Sequence, residues 1–275
     1  QGNILYAVQR YRSDDPFDPG LFPVYFTTPF VPPRGVNDST FMELLAPLQG
    51  GLTVVEFIDD PGDLSGYGLD DASAVSVTIR TADGGSTELL VGDENGEGLC
   101  YVLQAGTASP VMLLPAEAFS FIGISPFAYV ESFVALVGID TVSGFDLLIG
   151  DLAINAEIER SGEGDEKTET YLINGSEVTE DDFKDFYQVI IGREIEGEVD
   201  PEVVRNALDA EPVMHLIYHH VDDPNLKKYV ELYPYDEEFL VVSIDGGSRD
   251  FLVGRYQVDY IAEQAGLLLE GLKTP

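Results

Sequence analysis

Tryptophan is absent from this chain of 275 residues, and cysteine occurs once. The single Cys100 excludes an internal disulfide framework and any metal site built on several cysteines. It stands in Leu99-Cys100-Tyr101-Val102-Leu103, which reads as a strand, so a buried thiol is expected rather than a nucleophile. The lack of tryptophan removes the residue most used to stack on sugar rings. Bases are scarce: 14 lysines and arginines face 50 aspartates and glutamates, a formal charge of −36. Such a surface repels nucleic-acid phosphates and anionic lipid headgroups, which argues against either as a partner. Solubility in a high-salt or extracellular setting accounts for the acidity without a specific cationic ligand. No apolar run reaches the roughly 18 residues of a membrane-spanning helix, so direct membrane insertion by this segment is not expected. The chain opens at Gln1 with no methionine and no basic-then-apolar leader, and is expected to be an excised or processed piece.

Motifs that carry chemistry are also missing. There is no Gly-x-Ser-x-Gly, no Walker loop and no Gly-x-Gly-x-x-Gly placed after a strand. Gly84-Gly85 and Gly246-Gly247 read as hairpin turns. Paired carboxylates would suit a glycosidase, but so many acids form so many pairs that none is informative. No catalytic residue, cofactor site or metal site is assigned on these grounds.

What the chain does contain is a pattern stated twice. Phe41, Leu44, Leu45 and Leu48 fall at i, i+3, i+4 and i+7 behind Asn37, and Phe183, Phe186, Tyr187 and Ile190 do the same behind Thr179. Each set predicts a helix with one apolar face and a plausible N-cap. Pro47 should end or bend the first near Ala46. Strands are predicted over 4–12, 22–26, 53–58, 74–80, 87–91, 99–104 and 111–114, with a short helix from Pro115. A second series follows over 142–149, 153–160, 170–173, 213–219, 228–233, 239–244 and 251–253, with helices over 200–210 and 256–265. The apolar run 126–138 leans towards helix. Elements of the second series answer the first at offsets near 140. The expected fold is therefore α+β, with two tandem similar units over 1–140 and 141–275. Each would be an antiparallel sheet packed with one main helix and a short second helix.

The run Leu64-Ser65-Gly66-Tyr67-Gly68-Leu69-Asp70-Asp71, followed by an alternating strand and Leu90-Val91-Gly92, resembles the bacterial domain of unknown function 4340. Tyr171-Leu172-Ile173-Asn174-Gly175 before the second helix is similar to that family too, and the resemblance extends over nearly the whole chain. Ala72 and Ser73 stand where the family usually has a proline. The resemblance implies an extracytoplasmic domain, often carried behind one N-terminal membrane anchor and often encoded near ABC-type transport permeases or gliding-motility components. It implies no enzymatic activity and no catalytic residues.

Three groups of residues are candidate sites. His215, His219 and His220, with Asp222 and Asp223 close behind, would suit zinc on a helix, but on a strand they form a polar face. The acidic loops 59–63 and 93–97 lack the alternating ligand spacing of a calcium loop and read as solvated turns. Tyr229, Tyr233 and Tyr235 with Phe239 could form a binding patch, although packing of Tyr229 and Tyr233 on the second helix is the simpler expectation. The function these observations imply is a non-enzymatic extracytoplasmic interaction or scaffold module, partnered by another protein of a membrane-anchored, ABC-transporter-associated assembly. A binding protein for a cation, peptide or glycan in a cleft between the repeats is the alternative, and an enzyme the third possibility.

Overall fold

The computed structural model describes residues 5–10, 15–17, 20–36, 38–162, 168–200 and 210–272. In chain order, β1 (Ala7–Gln9), β2 (Tyr25–Thr28) and β3 (Arg34–Gly35) form a three-stranded sheet. Helix α1 (Asp38–Gly50) follows, then β4 (Glu56–Ile58) and a 3-10 turn at Leu64–Tyr67. Next come β5 (Val75–Arg80), β6 (Ser86–Glu94), β7 (Leu99–Gln104), β8 (Val111–Pro115) and 3-10 turns at Ala116–Phe119 and Pro126–Tyr129. The chain continues through β9 (Val142–Ile149), β10 (Leu152–Ser161), β11 (Thr168–Ile173), β12 (Ser176–Val178) and α2 (Glu180–Ile191). It ends with β13 (Gly197–Glu198), β14 (Met214–His220), β15 (Lys227–Pro234), β16 (Phe239–Ile244), β17 (Phe251–Gly254) and α3 (Arg255–Leu272). The fold is α+β and its described strand pairs are antiparallel. No described helix is long and apolar enough to cross a membrane.

Two compact units make up the chain: Asp38–Tyr129, and Gln1–Asn37 with Val130–Pro275. The sequence suggests one boundary after residue 140, whereas these units part at 37/38 and 129/130.

In the smaller unit the sheet order is β4-β8-β7-β6-β5. Strand β5 alternates half-buried Val75, Val77 and Ile79 with exposed Ser76, Thr78 and Arg80, as its period-2 pattern requires. Leu69, Leu103 and Val111 form a buried cluster under Ile58, Leu64, Tyr67, Leu90 and Tyr101. Phe41 is fully buried, its ring 5.4 Å from that of Tyr129. Helix α1 runs through Pro47 to Gly50 instead of ending near Ala46. So near the C-terminus the proline forfeits one backbone bond and disturbs at most a final turn. The expected N-cap, Asn37, lies outside the described residues.

The larger unit holds the three-stranded sheet and a nine-stranded one, ordered β12-β11-β10-β9-β14-β15-β16-β17-β13. Helix α2 starts where Thr179 Oγ1 accepts a hydrogen bond from the Asp182 N–H at 3.1 Å, with Glu180, Asp181 and Asp182 at the positive end of the dipole. Its apolar face is buried. Phe183, Phe186 and Tyr187 stand 5.9–6.3 Å from the Phe145 ring of β9, which in turn meets Tyr218 of β14. Val258, Ile261 and Ala265 form the buried stripe of α3. That helix runs past its expected end at 265, carried on by Leu267, Leu268 and Leu269. Strand β12 was not anticipated. Asn174 and Gly175, at φ 48° and 75°, make the two-residue turn that creates it.

The run 126–138 is not a helix beyond the turn at Pro126–Tyr129. It is extended, bridging Val36 through Val130 and Glu194 through Phe133. Arg34 takes the carbonyl oxygens of Glu131, Phe133 and Val134, which a helix would have needed for its own ladder. The helix expected over 200–210 falls mostly on 201–209, outside the described residues.

Candidate functional site

The outward face of the nine-stranded sheet gathers the histidines. Strand alternation turns Met214, Leu216 and Tyr218 inward and leaves His215, Ile217 and His219 outward. His215 Nδ1 lies 3.2 Å from Oε1 of Glu231, its direct cross-strand neighbour. His219 Nε2 lies 2.7 Å from Asp146 Oδ2, reaching it diagonally because Gly144 stands directly opposite and offers no side chain. Partial burial pushes the Asp146 carboxyl up, but hydrogen bonds from Asn155 and His219 and the charge of Lys227 outweigh it, and the group sits below the ordinary aspartate value. His220 points the other way, edge-on to Phe17 at 5.3 Å, with Nδ1 accepting the Asp222 N–H. Asp223 accepts from Asn225. The histidines therefore have separate partners, and among the described residues no three His, Cys, Asp or Glu converge as metal ligands.

Tyr229 and Tyr233 share this outward face. Packing against α2 was expected, yet the residues of β15 on the α2 side are Val230 and Leu232, one step out of phase. Tyr229 is 41% exposed beside Ile217, and Leu148, 44% exposed on the same face, stands opposite His215. Tyr233 packs with Tyr235 and Phe239 over Val241 and Leu252. The Arg249 guanidinium lies 3.7 Å above its ring, and its hydroxyl donates to Glu231. The face thus offers apolar side chains set among hydrogen-bonded imidazoles and carboxylates.

A concavity lies within the larger unit. It encloses about 270 Å³, lined among others by Phe22, Tyr25, Arg34, Glu131, Phe133 and Lys228. Burial lowers the Arg34 pKa to about 10 against the opposing pull of Glu131, so the side chain remains a cation at neutral pH. It lies 5.2 Å from the centre of the Phe251 ring. Lys228 is nine-tenths buried and ion-paired with both Asp15 and Asp245. Arg193, also buried, donates to the Ile190 carbonyl at 2.7 Å beside Tyr218, and burial raises the Tyr218 pKa to about 12. None of these cations stood out in the sequence. The usable signal was rarity: a lone base in an apolar or glycine-flanked context, as at Arg34-Gly35-Val36 and Ile191-Gly192-Arg193, marks a candidate for burial.

The acidic loops serve their own turns. Asp63 caps the 3-10 turn by accepting the Ser65 N–H and hydroxyl, and Asn95 accepts from Glu97 and Leu99. Cys100 is buried with its thiol facing the Leu114 carbonyl, and burial raises its pKa to about 11. The Tyr67-Gly68-Leu69-Asp70 run is an anchor of the fold. Gly68 ends the turn at φ 67°, Leu69 enters the core, and Tyr67 meets the Tyr101 ring at 4.8 Å. Asp70 then accepts the Ala72 and Ser73 N–H groups, so the chain turns without the proline usual there.

These residues lie in the part of the chain that a family model recognises. The protein belongs to the family described as Domain of unknown function (DUF4340), matched over residues 36–201. No curated protein and no solved structure matches it.

Proposed function

We propose that this protein is a non-enzymatic, extracytoplasmic interaction or scaffold module of a membrane-anchored, ABC-transporter-associated assembly, tethered through a segment preceding Gln1. The observation that carries the reading is the outward sheet face, where Leu148, Ile217 and Tyr229 lie on a rigid platform with polar neighbours already paired. Exposed apolar side chains rimmed by polar ones are what protein interfaces use. The placement outside the cytoplasm rests on the resemblance of the 64–71 and 171–175 runs to extracytoplasmic domains.

The module is built from two copies of one unit. Supporting this, α1-β4-β5-β6-β7-β8 and α2-β13-β14-β15-β16-β17 have the same order of elements. Their sheets also have the same neighbours, β4-β8-β7-β6-β5 and β13-β17-β16-β15-β14. Strands begin at 214 against 75, 239 against 99 and 251 against 111, all separated by about 140 positions. Phe41 and Phe183 are the buried aromatics of the two helices.

A photo-crosslinker placed at Tyr229 or Leu148 in the native cell envelope should capture one discrete protein, and placed at buried Val230 it should capture none. If neither exposed position yields a protein adduct while calcium, a peptide or a glycan raises the melting temperature, the scaffold reading fails in favour of ligand binding.

A further inference from the structure

The five-stranded sheet of the smaller unit ends on β5, with β6 on one side and no described strand on the other. An edge strand exposes a row of backbone N–H and C=O groups, and proteins usually blunt it with proline, a bulge or an inward charge. Residues Val75–Arg80 contain no proline and pair with β6 in unbroken register, from Val75 with Val91 to Arg80 with Ser86. The register break in this sheet falls farther in, between β6 and β7. Half-buried Val75, Val77 and Ile79 give the edge one apolar row to extend.

Charge selects what can extend it. Across Asp38–Tyr129 the sequence has 14 acidic residues and one base, Arg80. Glu88 is exposed beside the edge, bonded to the Ser76 hydroxyl at 2.7 Å. Asp70 and Asp71 precede β5, and Asp83 follows it. An acidic or neutral strand would gain little here and an anionic second copy would be repelled, whereas lysines and arginines would be drawn in. The larger unit provides a precedent in strand order: β14, with β15 on one side, takes β9 along its other edge from Met214 to His220.

We propose that β5 is the docking edge for an extended, lysine- or arginine-bearing segment of a partner protein, which joins the sheet as a sixth strand. Its alternate apolar side chains continue the row of Val75, Val77 and Ile79, and its basic side chains meet Glu88 and the flanking aspartates. This deepens the interaction-module reading and rests on it.

The test uses the 275-residue protein and a labelled peptide alternating valine with lysine, followed by fluorescence anisotropy and amide hydrogen exchange. The basic peptide should bind, protect the β5 amides, and weaken as salt rises to about 0.5 M. The same peptide with lysine replaced by glutamate should not bind. Methylation of alternate peptide nitrogens, which removes donors while keeping charge and leaves the protein untouched, should weaken binding about tenfold or more. Thr78→Pro, which removes an N–H on the free side of β5 and leaves the bonds to β6 intact, should do the same. Equal binding of methylated and unmethylated peptides would reduce the effect to charge alone and overturn the proposal. So would protection away from β5, or self-association that protects β5 with no peptide present. Capture of a partner through Tyr229 together with a β5 that binds nothing would sink this edge and leave the module reading standing.

Discussion

Gly92 lies so close to the backbone of Tyr67 that a β-carbon at position 92 would stand 2.2 Å from the Tyr67 carbonyl oxygen. The signature turn at Leu64–Tyr67 is thus seated directly on β6, and the bare glycine lets it approach. Gly92→Ala should force the two apart and destabilise the smaller unit by about 2–3 kcal/mol. A denaturant titration should show an earlier midpoint. An unchanged midpoint would mean the turn is free to lift away.

Arg34 fixes the extended run after residue 130 through three carbonyl oxygens. Arg34→Met would leave them buried without a donor, with an expected loss of about 3–5 kcal/mol. Arg34→Lys, a single ammonium in place of a planar fork, should recover only part of it. Full recovery by lysine would show that charge, not donor geometry, matters there.

Thr179 is the cap of α2. Thr179→Ala should cost about 1 kcal/mol, and Thr179→Ser should restore most of it, because the hydroxyl accepting from Asp182 is what counts. Unfolding midpoints of the two variants distinguish the cap from simple methyl packing.

Cys100 has a folded pKa near 11 against 9.0 for the free thiol. The folded protein therefore keeps a proton that the unfolded chain releases. Its contribution to stability is complete below pH 9 and is lost as pH rises through about 11. Stability measured from pH 8 to 11 should fall less steeply in Cys100→Ala than in the parent. At pH 8 a thiol reagent should label the native protein about a hundredfold more slowly than the urea-unfolded chain. Rapid labelling of the native state would show the thiol to be accessible.

Short apolar runs bounded by turns were legible at once: 99–104 and 142–149 coincide with β7 and β9, and 239–244 with β16, while the alternating run 74–80 matches β5 within a residue. The second helix was legible from its cap and the spacing of Phe183, Phe186, Tyr187 and Ile190. The run 126–138 misled because its apolar residues suit helix and extended chain alike, and the choice depends on Arg34 almost a hundred positions earlier. Tyr229 and Tyr233 were correctly put on one strand face. Which face meets α2 depends on Phe145 and Tyr218, which no local pattern names. The site was less visible still. His215 and His219 could be placed together outward, but their carboxylates, Glu231 and Asp146, come from other strands.

By itself the sequence determined the alternation of the strands, the capped amphipathic helix, the acidity of the surface and the family signature. All of these follow from backbone period, side-chain type or charge, and need no distant partner. Only the tertiary structure decided which cation is buried against which carbonyls, which sheet face stays open, and that β5 is left as an edge. Those outcomes depend on contacts between residues far apart in the chain, where packing and hydrogen-bond satisfaction override local preference.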